Sequence, residues 1–311
     1  MKIAYAGAPE FSVAPLKKLM ESGFKIAAVI TQPDKPVGRR AVLTPTPLKS
    51  FAQSAGIPVF TFARIRDEVS AVKSIGADCM VTCAYGQILT QEILSAFPTG
   101  VYNIHASLLP RWRGASPVQH AIAAGDERTG ITVMRTDVGL DTGDMLLQEE
   151  IPISSADTAG SLSEKLSLLG GECIARALAL VEKGQATFTP QRDADATLCK
   201  KIRKEDCLVD FSLPAKQVSD FIRAMNPSPL AFSYLNGKLV NLWFAEASET
   251  AAAAAAGEVF RADKTGIYVR TGENGVKITE LQEEGGKRLC AADCVNGRKI
   301  SVGDVFGRSR A

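Results

Sequence analysis

Val101-Tyr-Asn-Ile-His-Ala-Ser-Leu-Leu-Pro-Arg-Trp-Arg-Gly114 begins as a strand and ends as a loop. Apolar Val101, Tyr102 and Ile104 suit a short buried strand, while Asn103 and His105, two positions apart, emerge on one face of it. Pro110 and Gly114 are the punctuation that stops a strand in a loop. Downstream, Asp137-Val-Gly-Leu-Asp-Thr-Gly-Asp144 sets a second, acidic and glycine-hinged loop after another apolar run. An amide, an imidazole and a carboxylate at strand ends of an α/β sheet form a plausible catalytic set.

Around this stretch the first half of the chain alternates strands with helices. Strands are expected at Lys2–Ala6, Phe24–Thr31, Ile57–Phe60, Asp78–Ala84, Gly130–Arg135 and Met145–Ile151. Helices are expected at Glu10–Glu21, Leu48–Ala55, Asp67–Ile75, Thr90–Phe97 and Pro117–Ala124, and from Thr158 to Lys183 with an interruption at Gly170-Gly171. The alternation implies a mostly parallel sheet covered on both faces. Between Gln32 and Pro47 the prolines and Gly38 speak against regular structure, and a loop of that length inside a domain is commonly functional.

The second half differs. Asp193 to Lys204 is polar and reads as a linker ending in Lys200, Lys201, Arg203 and Lys204. A helix at Ala215–Met225 stops at Asn226-Pro-Ser-Pro229. Strands follow at Ala231–Leu235, Lys238–Ala245, Gly257–Arg261, Gly266–Arg270, Val276–Gln282 and Lys299–Phe306, with Asn236-Gly237 as a hairpin signal. Ala251–Ala256 is too short for a stable isolated helix and reads as a loop. The expected division is a domain over 1–189, a linker over 190–207 and a small OB-like barrel over 208–311.

Composition is that of a globular protein: 311 residues, 46% apolar and 23% charged, with a net charge of +2. Any surface for a polyanion must therefore be a local patch. Neither a secretory leader nor a membrane-length apolar run is legible. The seven cysteines do not read as a disulfide framework, which points to a reducing compartment, the cytoplasm. Cys290-x-x-x-Cys294 lacks the second half of a zinc site, so no metal is expected; Cys79 and Cys83 sit in an apolar strand as small core residues. Gly7-Ala-Pro-Glu-Phe11 is not a dinucleotide fingerprint, and Pro9 has no N–H to offer a phosphate. His105, one of two histidines, fits a satisfied core position as well as acid–base chemistry, and Asp141 fits a turn.

The wording of several stretches decides between these readings. Asn103-Ile-His105 with Ser107-Leu-Leu-Pro110, and Asp141-Thr-Gly-Asp144, closely resemble the folate-dependent formyltransferases. Ala6-Gly-Ala-Pro-Glu-Phe11, Thr31-Gln-Pro-Asp-Lys-Pro-Val-Gly-Arg39, Ala84-Tyr-Gly86 and Arg111-Trp-Arg-Gly114 resemble the branch acting on methionyl-tRNA. So do the Lys204-Glu205 region and Ile222-Arg-Ala-Met-Asn-Pro-Ser-Pro229, and the resemblance covers nearly the whole chain. It implies a Rossmann-like domain followed by an OB-like barrel, and transfer of formyl from 10-formyltetrahydrofolate, as donor substrate, to the methionine of initiator tRNA. A monomer is expected, with neither DNA nor a membrane as partner.

The same resemblance implies catalytic roles for Asn103, His105 and Asp141, and a folate-binding segment at Ser107, Leu108, Leu109 and Pro110. Gly86, Gln87, Ile88 and Leu89 would add an apolar slot with backbone hydrogen bonds for the pterin. Arg39, Arg40, Lys201 and Lys204 are the candidate tRNA contacts. Two departures bear on that last set: Arg40-Ala-Val42 replaces a more basic run, and Ser228 stands where relatives often carry Trp. Formyl transfer to an amino sugar or purine precursor would use the same site without the proline-rich basic loop and the barrel. A non-catalytic RNA-binding protein would leave Asn103, His105 and Asp141 without a purpose.

Overall fold

Apolar runs bounded by prolines and glycines dictate the order of elements in the first half. The computed structural model describes residues 1–38, 41–307 and 309. In chain order the elements are β1 (Lys2–Gly7), α1 (Val13–Glu21), β2 (Lys25–Thr31), β3 (Lys35–Val37), β4 (Val42–Thr44), α2 (Pro47–Ser54) and β5 (Val59–Thr61). Then come α3 (Val69–Ser74), β6 (Cys79–Cys83), α4 (Gln91–Leu94), β7 (Gly100–His105), β8 (Arg113–Gly114) and α5 (Pro117–Ala123). The half closes with β9 (Arg128–Arg135), β10 (Met145–Pro152), α6 (Ala159–Glu182) and β11 (Leu198–Cys199). By contact, Met1–Pro117, Arg128–Pro152 and Ser163–Cys199 form one unit, and Val118–Glu127, Ile153–Leu162 and Lys200–Ala311 a second.

The first unit is built on a sheet of order β10-β9-β7-β6-β1-β2-β5. Strands β5, β2, β1, β6 and β7 run parallel, and β9 and β10 complete the far side antiparallel to their neighbours. All five residues of β6 are buried, as a central strand covered on both faces requires. The chain moves outward from β1 through β2 to β5, then returns to the other side of β1 with β6 and β7. Strand order therefore reverses at β1 and β6, and their carboxyl ends border the crevice where such sheets hold ligands. Gly7 ends β1 there: a Cβ would lie 2.7 Å from the Cys83 carbonyl oxygen and 2.7 Å from the Ser12 Cβ. Close approach of two chain segments, rather than turn geometry, demands glycine at this position.

Several local expectations change. The Gln32–Pro47 segment is not devoid of regular structure, for β3 and β4 pair as an antiparallel ribbon through Lys35–Thr44, Pro36–Leu43 and Val37–Val42. A two-stranded ribbon has only outer edges, so Pro36 is tolerated in it. Helix α6 runs unbroken through Gly170-Gly171. A Cβ on Gly170 would lie 2.9 Å from Cγ2 of Ile104, and one on Gly171 2.9 Å from Cβ of Lys18, so the pair lets α6 press onto the sheet and α1. Asp193 to Lys204 is no bare linker, because β11 pairs in parallel with β8.

The second unit contains α7 (Ala215–Ala224), β12 (Ala231–Leu235), β13 (Lys238–Ser248), β14 (Val259–Asp263), β15 (Gly266–Arg270), β16 (Gly275–Glu283), β17 (Leu289–Cys290), α8 (Ala291–Asn296) and β18 (Phe306–Gly307). Its antiparallel sheet has the order β14-β15-β16-β13-β12-β18, and β13 is bulged against β16 near Phe244. Val259 N–H donates to the Asp304 carbonyl at 2.8 Å and Phe306 N–H to that of Gly257 at 2.8 Å, so the two ends of the sheet meet. This closure makes the unit a curled, OB-like half-barrel. Asn236 and Gly237 both take positive φ, +47° and +79°, as the hairpin signal requires. Lys299–Phe306 is largely irregular where a strand was expected. Ser301 N–H donates to the Asp304 carboxylate at 2.8 Å and Gly303 has φ +91°, which coils the segment into a turn. Cys290 N-caps the short helix α8, which strand periodicity alone does not foretell.

Candidate active site

Strand β7 carries Asn103 and His105 to the carboxyl edge of the sheet, on one face as the two-residue spacing requires. Across the parallel pairing, Thr82 of β6 stands opposite Asn103, and its hydroxyl donates to Asn103 Oδ1 at 2.8 Å. That bond fixes the amide's orientation. Among the described residues the Asn103 Nδ2 group has no acceptor, so its N–H groups remain available.

His105 is 5% exposed. Its Nε2 lies 2.8 Å from the Trp112 carbonyl oxygen, which can only accept, so that nitrogen carries the proton. Nδ1 is then the nitrogen that faces Asp141, with Oδ2 at 3.7 Å. When doubly protonated the imidazole forms an ion pair with that carboxylate. Asp141 is left-handed, φ +53°, in its Asp-Thr-Gly turn, and its Oδ2 accepts the Gly114 N–H at 2.8 Å. The turn before it is tied by the Asp137 carboxylate, which accepts from Gly139 N–H and the Thr142 hydroxyl. The structure thus brings together residues 36 positions apart along the chain, from His105 to Asp141.

The loop after His105 is anchored from below. Thr132, fully buried on β9 opposite His105, donates its hydroxyl to the Ser107 carbonyl at 2.7 Å and accepts the Leu109 N–H at 3.1 Å. Gln148 donates to the Leu109 carbonyl at 2.8 Å and to the Thr132 hydroxyl at 2.9 Å. The Ser107 hydroxyl donates to the Arg111 carbonyl at 2.6 Å, which occupies it within the loop. Leu109 is buried, Leu108 and Pro110 are half-buried, and the Leu109–Pro110 bond is cis.

Gly86 to Leu89 follow β6, so they flank the Ser107–Pro110 loop on the neighbouring parallel strand. Gly86 is left-handed at φ +72°. Gln87 spends its side chain on the preceding loop, accepting from Ile65 N–H at 2.7 Å and donating to the Phe62 carbonyl at 2.9 Å. Leu89 is buried in the core beside Tyr85 and Ile93, and Ile88 is 78% exposed.

The remaining candidates are Arg39, Arg40, Lys201 and Lys204. Arg39 and Arg40 are outside the described residues. In the second unit Lys201 is exposed and forms no ion pair among the described residues. The Lys204 ammonium lies 3.2 Å from the Pro229 carbonyl and 3.3 Å from that of Leu230, and 4.9 Å over the Phe232 ring; burial lowers its pKa. Thr82, Thr132, Gln148 and Gln191 support the site without having been singled out. Threonine is an ordinary strand residue and glutamine an ordinary surface one, so neither type gives a signal by itself.

Residues 1–178 match the family model described as formyl transferase, and residues 201–299 match the one described as formyl transferase, C-terminal domain. The chain is similar to a protein named methionyl-tRNA formyltransferase from Herminiimonas arsenicoxydans: 44% identity over 308 residues, covering 96% of this chain and 97% of that one. It is also similar to one of the same name from Chromobacterium violaceum, 43% identical over 312 residues and covering 99% and 100% of the two chains. Among solved structures its fold is like that of HypX from Aquifex aeolicus in complex with tetrahydrofolic acid, with a TM-score of 0.68 at 20% identity over 97% of this chain and 48% of that one. It is likewise similar to WlaRD, a sugar 3N-formyl transferase, with a TM-score of 0.67 at 20% identity over 91% and 97%. At 20% identity these two likenesses concern the fold alone.

Proposed function

The chain belongs to the formyl transferase family, and we propose that it carries the formyl group of 10-formyltetrahydrofolate to the amino group of methionine on initiator tRNA. The observation that carries this reading is the near-full-length similarity, above 40% identity, to proteins named methionyl-tRNA formyltransferase. Amino-sugar and purine-precursor acceptors are not favoured.

The chemistry assigned to this chain's residues is an acyl transfer. The neutral amine attacks the formyl carbon, the new N–C bond forms and a tetrahedral oxyanion develops. Collapse breaks the bond from carbon to N10 of the folate, and the proton lost by the amine ends on that nitrogen. Asn103 donates from Nδ2 to the oxyanion, since Thr82 already holds its oxygen. A preorganised donor of this kind is commonly worth about 3–4 kcal/mol in the transition state. Protonated His105 offers the same oxyanion a second donor through Nδ1, because Nε2 is committed to the Trp112 carbonyl. Asp141 orients the imidazole and, before attack, takes one proton from the incoming ammonium, directly or through water, to give the neutral amine, then releases it to solvent; the amine's second proton is the one that ends on N10.

Ser107 to Pro110 and Gly86 to Leu89 border the folate, with Leu109 and Leu89 as wall and loop backbone as hydrogen-bonding edge. Arg39, Arg40, Lys201 and Lys204 are assigned to tRNA phosphates, with Arg39 as the main contact of its loop. The formyltransferase domain spans 1–189 and the tRNA-binding barrel 208–311. The protein works as a monomer in the cytoplasm, a reducing compartment that suits its seven unpaired cysteines; no described helix is long and apolar enough to cross a membrane.

A competition of acceptors tests the reading. The protein is incubated with 10-formyltetrahydrofolate and, separately, methionyl initiator tRNA, an amino-sugar nucleotide and glycinamide ribonucleotide. Formylation of methionine alone is expected. Formylation of either small acceptor, with none on methionine, overturns the assignment.

A further inference from the structure

Between the two family-model matches, at 1–178 and 201–299, lies a segment that neither covers. Residues 191–199 of it lie against the loops that carry Asp141 and Trp112. Gln191 donates from Nε2 to the backbone carbonyls of Asp141 at 2.8 Å and Gly143 at 2.7 Å. Its Oε1 accepts from Arg113 Nε at 2.9 Å, while Arg113 Nη2 pairs with Asp193 at 2.9 Å. One half-buried amide thus joins the turn that presents Asp141 to the residue next to Trp112, whose carbonyl holds His105.

The rest of the segment grips the same loop. Trp112 N–H donates to the Thr197 hydroxyl at 2.9 Å, Arg113 N–H to the Thr197 carbonyl at 2.9 Å, and Ala115 N–H to the Cys199 carbonyl at 3.0 Å. Thr197 N–H returns a bond to the Pro110 carbonyl at 3.2 Å. Gly114, whose N–H holds the Asp141 carboxylate, has no room for a side chain, because a Cβ would lie 2.2 Å from the Cys199 carbonyl oxygen.

We infer that Gln191 is a positioning residue for formyl transfer: it sets the separation of Asp141 from His105 by holding both of their loops at once. The segment's own chemistry supports this. A glutamine supplies two donors to the Asp141 turn and an acceptor to Arg113, and no isosteric side chain does both. The left-handed Asp141 turn has carbonyls that point at one donor group, so its conformation depends on that group. A displacement of about 1 Å at reacting groups costs on the order of 100-fold in rate.

The inference rests on the catalytic reading of Asp141, and the test separates the two. Gln191→Glu keeps the size and the acceptor for Arg113 but removes the donors to Asp141 and Gly143. The expected result is a fall in kcat of about 10- to 100-fold, KM for both substrates within about twofold, and an unchanged cooperative unfolding transition. Combined with Asp141→Asn, the Gln191→Glu change should add little, because the two act through one group. Normal turnover in Asp141→Asn alone would sink the catalytic reading itself. Impaired turnover in Asp141→Asn with Gln191→Glu either silent or fully additive would overturn the positioning role and leave the catalytic one standing. If Gln191→Glu does not fold, Gln191→Met removes the same donors without a charge. Failure of both to fold makes Gln191 a stability residue and also overturns the proposal.

Discussion

The Thr82 hydroxyl donates to Asn103 Oδ1 at 2.8 Å, and by occupying the oxygen it determines that the amide can meet a substrate only as a donor. The pair comes from neighbouring parallel strands in direct register, so the geometry belongs to the sheet rather than to a loop. It accounts for an amide at 103 where a carboxylate of the same shape would not serve.

Asn103→Asp should therefore lower kcat by about 100- to 1000-fold with little change in folding, as loss of one oxyanion donor does elsewhere. Thr82→Val should cost less, because it frees the amide to flip without removing the donor. Equal turnover in Asn103→Asp and the wild type, measured at saturating substrates, would remove Asn103 from the chemistry.

Gly114→Ala tests the packing behind Asp141. The glycine has φ +123° and a Cβ there would lie 2.2 Å from the Cys199 carbonyl oxygen, so β8 must part from β11. Turnover should fall by at least about tenfold, since the Trp112 carbonyl and the Gly114 N–H move together. Full activity in a folded Gly114→Ala protein would show that the β8–β11 pairing does not hold the site.

The cysteines give a chemical check. Burial pushes the thiols of Cys79, Cys83 and Cys173 up to about 12 and that of Cys294 up to about 11. A raised pKa keeps a thiol protonated, so almost none of these groups is in the nucleophilic thiolate form at pH 8. Iodoacetamide at pH 8 should label the folded protein at exposed Cys290 alone, as read by peptide mass. Rapid labelling of Cys79 or Cys83 without unfolding would contradict their placement in the core.

On the tRNA side, log affinity should fall linearly with log salt, and Lys201→Ala should reduce the slope by about 1. Lys204→Ala should change the slope less and the thermal midpoint more, because its ammonium is already held by Pro229 and Leu230. Arg39→Ala should cut tRNA formylation while leaving binding of a folate analogue intact. An unchanged salt slope in Lys201→Ala returns that residue to the solvated surface.

How legible all this was depends on range. Asn103 and His105 declared a shared face because strand period is local, and Pro110 and Gly114 marked the loop beside them. The alternation of apolar runs likewise revealed the parallel sheet and the antiparallel barrel. Gln191 was not legible, for its partners lie 50 and 48 positions away and nothing near it is unusual. The β3–β4 ribbon was hidden by its prolines, which an isolated ribbon accommodates and a central strand does not. Lys299–Phe306 has the composition of a strand but coils because Ser301 and Asp304 close a turn. Gly170-Gly171 looked like a break because intrinsic propensity ignores the neighbour that needs the space.

The proposed role of His105, set between the Trp112 carbonyl and the Asp141 carboxylate, is in the transfer of formyl to methionyl-tRNA. Its most direct test is the single-turnover rate of formylation by His105→Ala, with both substrates saturating and the fold confirmed by its unfolding transition. A loss of at least about 100-fold is expected, since removal of one oxyanion donor costs about 100- to 1000-fold. A rate within a few-fold of the wild type would contradict it.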